Sequence, residues 1–370
     1  MNDISRLRNV AFVGPHHSGK TTLVEALLDH CGALARRGSV ADGTATTDYE
    51  QECIDHHQST CAGFAHVACS NVDLNIIDCP GFVDFFEETK LALLAADCAV
   101  IVIDAEPARV SQTQALVEHI ESRGLPHLFV VNKLDRPGAD FDGTLAALRA
   151  AYGGHVVAQQ LPIGSAEAFS GYVDLVSRSA YTFNGKTPGA DAVPAAMADA
   201  VQTARQTLLE ALSDFDDHLM EELIEGVDPP LDEVERDLCE DCSHDKILPV
   251  VVACGLVGHG IAGLIDAIER ELPSPATQPP CDAEGRPIEP KSDGPVIAQI
   301  CKTYVHPQAG KLSVVRVITG TLAADTSLVN RSRDDAKLRS SGLFRLQGKK
   351  QEPIKEAGPE ANVAMPEGAR

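Results

Sequence analysis

NVAFVGPHHSGKTTLVEALLDHC, residues Asn9 to Cys31, changes its hydrophobic period halfway along. Asn9 to Val13 is a short apolar run that predicts a buried strand. Between Lys20 and Cys31 apolar residues recur at helical spacing. The eight residues that include the turn, Gly14-Pro15-His16-His17-Ser18-Gly19-Lys20-Thr21, fit GxxxxGK[ST] in the strand–turn–helix setting which that pattern requires. The glycines let backbone N–H groups close around phosphate oxygens, and the helix N-terminus adds a favourable dipole. Lys20 is placed to reach the outer phosphates, and the Thr21 hydroxyl, with Thr22 beside it, to face a divalent ion such as Mg2+.

Downstream the alternation continues. Leu74 to Ile77 reads as a second buried strand and Val83 to Ala95 as a helix. Cys98–Asp104, Val110–Ser122, His127–Val131 and Phe141–Ala151 then repeat strand, helix, strand, helix. Such a rhythm predicts an α/β fold: a mainly parallel, doubly wound sheet with ligands at the carboxyl ends of its strands.

Two further motifs sit at strand ends. Asp78-Cys79-Pro80-Gly81 fits DxxG: Asp78 can hold Mg2+ through water, and the Gly81 amide can sense a terminal phosphate. Asn132-Lys133-Leu134-Asp135 fits NKxD, and a carboxylate there accepts both N1–H and the N2 amine of guanine, donors that adenine lacks. Each motif alone is a weak pattern. In this order, they point jointly to a guanine nucleotide.

From about residue 161 to 247 the rhythm breaks. A strand pair within Gly171 to Phe183 precedes long acidic helical stretches, Ala192–Glu225 and Leu231–Cys239, which read as an inserted α+β subdomain. Ile247–Ala253 and Ile261–Glu271 then resume the strand–helix pattern. Residues 273–293 are rich in proline and read as a linker. Beyond them Val296–Gln299, Lys311–Ile318, Thr326–Asn330 and Ala361–Met365 alternate as strands, which predicts a small all-β barrel over 294–370.

The formal net charge of −23 is distributed unevenly: from Gly294 onward the chain is net +5, and Arg205 to Asp245 holds 15 acidic and 2 basic residues. A field of that sign repels a phosphate backbone, so broad binding to free nucleic acid is excluded. The acidic stretch reads as a solvated helical surface or as a docking face for a basic partner. The 11 cysteines show no paired framework, and Cys239, Cys242 and His244 read as ordinary side chains, lacking a second pair at zinc-ribbon distance. No apolar signal core opens the chain, and Leu91–Ala105, broken by Asp97, is too short to span a bilayer. Cytoplasmic localisation and no membrane partner are the expectation.

These residues carry a family resemblance. GPHHSGKTTLVEALL, DLNIIDCPGFVDF, FVVNKLDRPGADF, LPIGSAEAFSGYVDLV, LPVVVACG and KLSVVRVITGTL resemble the translational GTPases, most closely elongation factor G and the elongation factor G-like proteins. The resemblance implies a P-loop GTPase domain over 1–272 with a G′-like insertion at about 161–247, a linker, and the family's second domain, a barrel cut short. It implies GTP or GDP with Mg2+ as ligands, Lys20 and Gly81 in catalysis, and a monomer that works on the ribosome. There the insertion would face the stalk and the barrel the small subunit.

By the same resemblance Asp48-Tyr-Glu-Gln-Glu starts a switch segment, and counting forward places Ser59 at the metal-binding threonine, with Thr60 the neighbouring candidate. His56, His57, Cys61 and His66 are then switch residues rather than zinc ligands. Cys254-Gly255-Leu256 resembles the guanine-supporting loop, with Leu256 in place of the usual serine. Phe82 stands where most of the family has a water-positioning histidine, and His17 replaces a P-loop aspartate. Phenylalanine cannot orient water by hydrogen bonding. A GTP-binding module with impaired hydrolysis, or a truncated fragment, is therefore the alternative to an active GTPase. Ribosome-protection and release-factor GTPases are further relatives to weigh.

Overall fold

Runs rich in Val and Ile form the strands that end at the nucleotide motifs, and most of their residues are buried. In the computed structural model, residues 3–69, 71–183, 190–306, 310–332 and 335–366 are described. The chain opens with β1 (Leu7–Val13), α1 (Lys20–His30), α2 (Gln51–His56), β2 (Gly63–Cys69), β3 (Val72–Asp78) and α3 (Phe86–Ala92). Next come β4 (Cys98–Asp104), α4 (Gln114–Ser122), β5 (His127–Asn132), α5 (Phe141–Tyr152) and β6 (Val156–Ala158). The insertion contains β7 (Gln160–Ile163), β8 (Gly171–Asp174), β9 (Ser179–Thr182), β10 (Ala190–Asp191), α6 (Ala198–Ser213), α7 (Asp217–Glu225) and α8 (Leu231–Ser243). Then follow β11 (Leu248–Val252) and α9 (Ile261–Glu271). The chain groups into two compact units, Met1–Ala11 with Gly38–Asp97 and Pro273–Arg370, and Phe12–Arg37 with Cys98–Leu272.

In the second unit β4, β5, β11 and β6 are neighbours in that order, and all three pairings are parallel. Ile101 stands opposite Phe129, and Val250 opposite Phe129 on the other side. Every residue of β4, β5 and β11 is buried, the pattern of a sheet covered on both faces. The insertion adds a separate antiparallel sheet, β10-β9-β8-β7. The acidic stretch within Ala192–Glu225 is divided into two helices, α6 and α7. Asp216, in extended conformation, makes the division: its carboxylate accepts from the backbone N–H of His218 and Leu219 and starts α7.

In the first unit β2 and β3 form an antiparallel hairpin that sequence periodicity passed over at β2, with Phe64 opposite Ile77. This unit thus contributes an antiparallel pair to a fold expected to be mainly parallel. The C-terminal part of this unit is all-β: β12 (Ile297–His306), β13 (Gly310–Thr319), β14 (Leu322–Ala323), β15 (Ser327–Asn330), β16 (Ala336–Arg339), β17 (Leu343–Gln347), β18 (Lys350–Ile354), β19 (Glu356–Ala357) and β20 (Asn362–Pro366). Five of these strands make an antiparallel sheet ordered β12-β13-β20-β17-β18, with β14-β19 and β15-β16 as two-stranded ribbons. Val315, Val317, Leu322, Leu343, Val363 and Met365 form its core.

Polar contacts tie this all-β part to the β2–β3 hairpin. The His66 N–H donates to Gln347 Oε1 at 2.9 Å, and the Gly348 N–H to the Phe64 carbonyl at 2.8 Å. Arg316 donates to the Ala96 carbonyl at 3.0 Å and pairs with both Asp97 and Glu360. Asn9 accepts from Asn75 at 2.8 Å and from Asn362 at 2.9 Å.

Candidate functional site

The P-loop needs glycine at both ends. Gly14 has φ +141°, and a Cβ there would fall 2.1 Å from the Val102 carbonyl oxygen. Gly19, the residue before α1, has φ +90°, and a Cβ would meet the Asn132 side chain at 2.6 Å. His17 also lies in the left-handed region at φ +62°. Lys20, buried at the start of α1, donates from Nζ to the carbonyls of Gly14 and Pro15, each at 3.0 Å. Thr21 is buried beside it, and the Thr22 carbonyl accepts from Arg37 at 3.4 Å.

Asn132, the first residue of NKxD, joins the three nucleotide motifs of this unit. Its Nδ2 donates to the Ser18 carbonyl at 2.9 Å, and its Oδ1 accepts from the Gly255 N–H at 3.0 Å. One buried amide thus fixes the P-loop and the Cys254-Gly255-Leu256 loop together. The Ser18 hydroxyl is buried and has no hydrogen-bond partner among the described residues, leaving a polar group inside the loop for a ligand to meet.

Cations surround the same loop. Lys133 donates to the His17 carbonyl and, at 3.0 Å, to Asp104, while Arg109 donates to the His16 carbonyl and lies 3.7 Å from Asp104. Lys133 is itself held at φ +63°, which turns its stem back over the P-loop. Burial lowers the pKa of both His16 and His17. For His16 the neighbouring His17 adds to the fall, followed by Lys20, Arg109 and Lys133; for His17 Lys133, Arg109 and Lys20 add to it, with Asp104 working against them. Burial also pulls Lys133 down, with Asp104 working against it.

On the base side Asp135 is half-buried and Leu134 is buried behind it. The Cys254 thiol is pushed up to about 12 by burial and by its hydrogen bond to Asp135, so it stays a neutral donor toward that carboxylate. Gly255 accepts at its carbonyl from Arg37, whereas Leu256 is largely exposed. Sequence reasoning did not single out Arg37, Arg109 or Asp104, because none belongs to a short motif.

The DxxG segment belongs to the other unit. Asp78 closes β3 and is 1% exposed. Its Oδ2 accepts a 2.6 Å hydrogen bond from the hydroxyl of Thr47, itself 3% exposed. Ser59, the counted switch position, donates to Asp48 at 2.9 Å, and Thr60 faces Cys53 at 3.3 Å. The hydroxyl brought to Asp78 is therefore that of Thr47, which the counting passed over. Cys79 is buried, the Pro80 carbonyl accepts from Thr89 at 2.9 Å, and Gly81 leads to Phe82, 37% exposed and 6.4 Å from the Phe85 ring. Among the described residues His56, His57, Cys61 and His66 form no group of three with metal-ligand spacing, and neither do Cys239, Cys242 and His244. No described helix is long and apolar enough to cross a membrane.

Comparison with known proteins agrees with this geometry. Residues 5–274 match the elongation factor Tu GTP binding domain, and residues 295–367 match elongation factor G domain 2. The chain is 39% identical over 352 residues to an elongation factor G-like protein of Synechocystis, covering 95% of this chain and 51% of that protein. A Thermus thermophilus protein of known crystal structure superposes with a TM-score of 0.85 at 32% identity, covering 99% of this chain and 53% of that one. The chain thus spans about half the length of the relatives it matches.

Proposed function

Because this chain belongs to the translational GTPases of the elongation factor G type, we propose that it binds GTP and GDP through the motifs described above and hydrolyses GTP in response to the ribosome. The observation that carries the nucleotide reading is the Asn132 bridge between Ser18 and Gly255, which holds the phosphate loop and the base loop in one frame. In this reading residues 14–22 cradle the phosphates, Asp135 reads the guanine edge, and Cys254, Gly255 and Leu256 support the base. Lys20, now on loop carbonyls, turns to the phosphates when they are present. Thr21 and Asp78 offer the hydroxyl and carboxylate oxygens that suit Mg2+, and Ser59 or Thr47 supplies the switch hydroxyl. When bound, Mg2+ neutralises charge on the transferring phosphoryl group.

The domain division follows from the same reading: a G domain over 1–272 with its G′-like insertion, then domain II from about 294. The insertion is assigned to the ribosomal stalk, the net-positive β domain to the small subunit, and the chain works as a cytoplasmic monomer. Fluorescent GDP displacement tests the nucleotide reading. GTP and GDP should compete, ATP should not, and Asn132→Ala should weaken binding at least about ten-fold by leaving two buried partners unpaired. Equal competition by ATP would overturn it.

Phe82 favours a second reading, in which this chain binds GTP but turns it over poorly. Its ring has no group to orient water, and catalysis would rest on Lys20, the Gly81 amide and positioning alone. Single-turnover hydrolysis with and without ribosomes separates the two readings. Tight binding without stimulated cleavage favours the second.

A further inference from the structure

The acidic stretch of the insertion arranges its side chains more closely than a solvated helical face requires. His218 and Glu222 lie four residues apart on α7, and Glu233 and Asp237 four apart on α8, so each pair shares one helix face. His218, Glu222 and Glu233 bring one ligand atom each to within 4.8 Å of one another, and so do Asp216, Glu233 and Asp237. Glu233 belongs to both triads. His218 Nδ1 is 2.9 Å from Glu233 Oε1.

Two carboxylate oxygens in this group are left over. Asp237 is 5% exposed, and its Oδ2 is buried with no hydrogen-bond partner among the described residues. Glu222 Oε2 is buried and likewise has none. The Arg236 guanidinium reaches Asp237 Oδ1 at 3.1 Å and Glu233 at 3.8 Å from a mostly exposed position, and leaves Oδ2 unsatisfied. A buried carboxylate oxygen without a partner costs free energy that a small cation recovers and a bulky basic peptide cannot reach.

We propose that α7 and α8 form a binding site for a divalent transition-metal ion centred on Glu233, with His218 and Glu222 on one side and Asp216 and Asp237 on the other. Zn2+ fits the donor set. It takes imidazole nitrogen and carboxylate oxygen at about 2.1 Å, whereas Mg2+ and Ca2+ prefer oxygen alone. Donors on opposite sides of such an ion lie at most about 4.2 Å apart, so a small closing of α7 onto α8 completes either triad. The ion would clamp the two helices together across the turn at 226–230. This site is independent of the nucleotide pocket and of the GTPase reading.

The test is calorimetric titration of the metal-stripped full chain with Zn2+, in excess Mg2+ to cover any nucleotide-site demand. Glu222→Gln, His218→Ala and Cys239→Ser are compared, with fluorescent GDP binding and circular dichroism as integrity controls. About one equivalent of Zn2+ should bind, about ten-fold or more weaker in His218→Ala and Glu222→Gln and unchanged in Cys239→Ser. Glu222→Gln is nearly isosteric, so it keeps the test valid if His218→Ala disturbs the helix. No Zn2+ uptake, or uptake unaffected by either α7 variant, overturns the site. Loss only in Cys239→Ser assigns the ion to thiols and overturns it as well.

Discussion

The Thr47 hydroxyl donates a 2.6 Å hydrogen bond to Asp78 Oδ2, joining a loop residue to the carboxylate that ends β3. Both side chains are buried. A bond to a charged acceptor in such a place is worth more than an exposed one, and losing its donor leaves desolvation uncompensated. Thr47→Ala should therefore lower unfolding free energy by about 1–3 kcal/mol in chemical denaturation. Thr47→Ser, which keeps the hydroxyl, should recover most of that. Equal losses in both variants would assign the effect to the methyl group instead.

One residue upstream, the Thr46 carbonyl lies against Gly348 at the turn between β17 and β18. Gly348 has φ +55°, and a Cβ there would fall 1.8 Å from the Thr46 oxygen. Gly348→Ala cannot fit without moving the loop that carries Thr47. The variant should lower the melting temperature and perturb the Thr47–Asp78 pair, while Gly285→Ala, whose Cβ would meet nothing within 4 Å, should do far less. Backbone amide shifts of Thr47 and Asp78 by NMR report the coupling directly. Unchanged shifts in Gly348→Ala would refute it.

Asp135 decides which base fits. A carboxylate accepts twice, matching the N1–H and N2 amine of guanine, whereas asparagine accepts once and donates once. Xanthine carries a carbonyl in place of the N2 amine. Asp135→Asn should thus weaken GDP by about 10²-fold or more and strengthen xanthosine diphosphate, measured by displacement of a fluorescent nucleotide. Loss of both would mean that Asp135 is needed for the loop, through its bond from Cys254, rather than for base selection.

How far the sequence disclosed this arrangement depends on the range of each contact. The P-loop, DxxG and NKxD are local, and their residues lie at the strand ends where the hydrophobic period changes. Gly14 and Gly19 announce their roles because no other residue tolerates their φ values and close neighbours. The β2 strand, Gly63–Cys69, escaped notice because Gly63, Ala65 and Ala68 carry little hydrophobic contrast and His66 is its one polar side chain, which leaves a weak period-2 signal. Thr47, Arg37 and Arg109 escaped for another reason: their partners lie 31, 218 and 93 residues away, and no period or spacing records that. Counting along the switch segment leads to Ser59, with Thr60 beside it; in the structure Ser59 donates to Asp48, and it is Thr47 that donates to Asp78.

Phe82 gives a gain-of-function test. The side chain is partly exposed after Gly81, so a histidine can occupy its place without disturbing the core. Phe82→His introduces a group able to position water, and should raise ribosome-stimulated hydrolysis by about 10²-fold, the lower range for general acid–base assistance. GDP affinity should stay unchanged. An unaltered single-turnover rate would show that turnover is limited elsewhere.

Arg316, Asp97 and Glu360 form a buried group of two carboxylates and one guanidinium. One cation cannot compensate both acids, and burial pushes Glu360 up to about 7 despite Arg316. Its ordinary value is 4.5, so between about pH 4.5 and 7 the folded chain holds a proton that the unfolded chain has lost. That contribution to stability is complete below pH 4.5 and declines as the pH rises through 7. Glu360→Gln keeps the acceptor oxygen and removes the titration, so its unfolding free energy should lack this decline and should exceed that of the parent at about pH 8. Arg316→Met leaves both acids without their cation and should cost about 3–5 kcal/mol at that pH. The cost should shrink toward about pH 5 as Glu360 takes up its proton. Urea denaturation of the three proteins across about pH 5–8 measures all of this, and a parent-like pH slope in Glu360→Gln would place the titration on another residue.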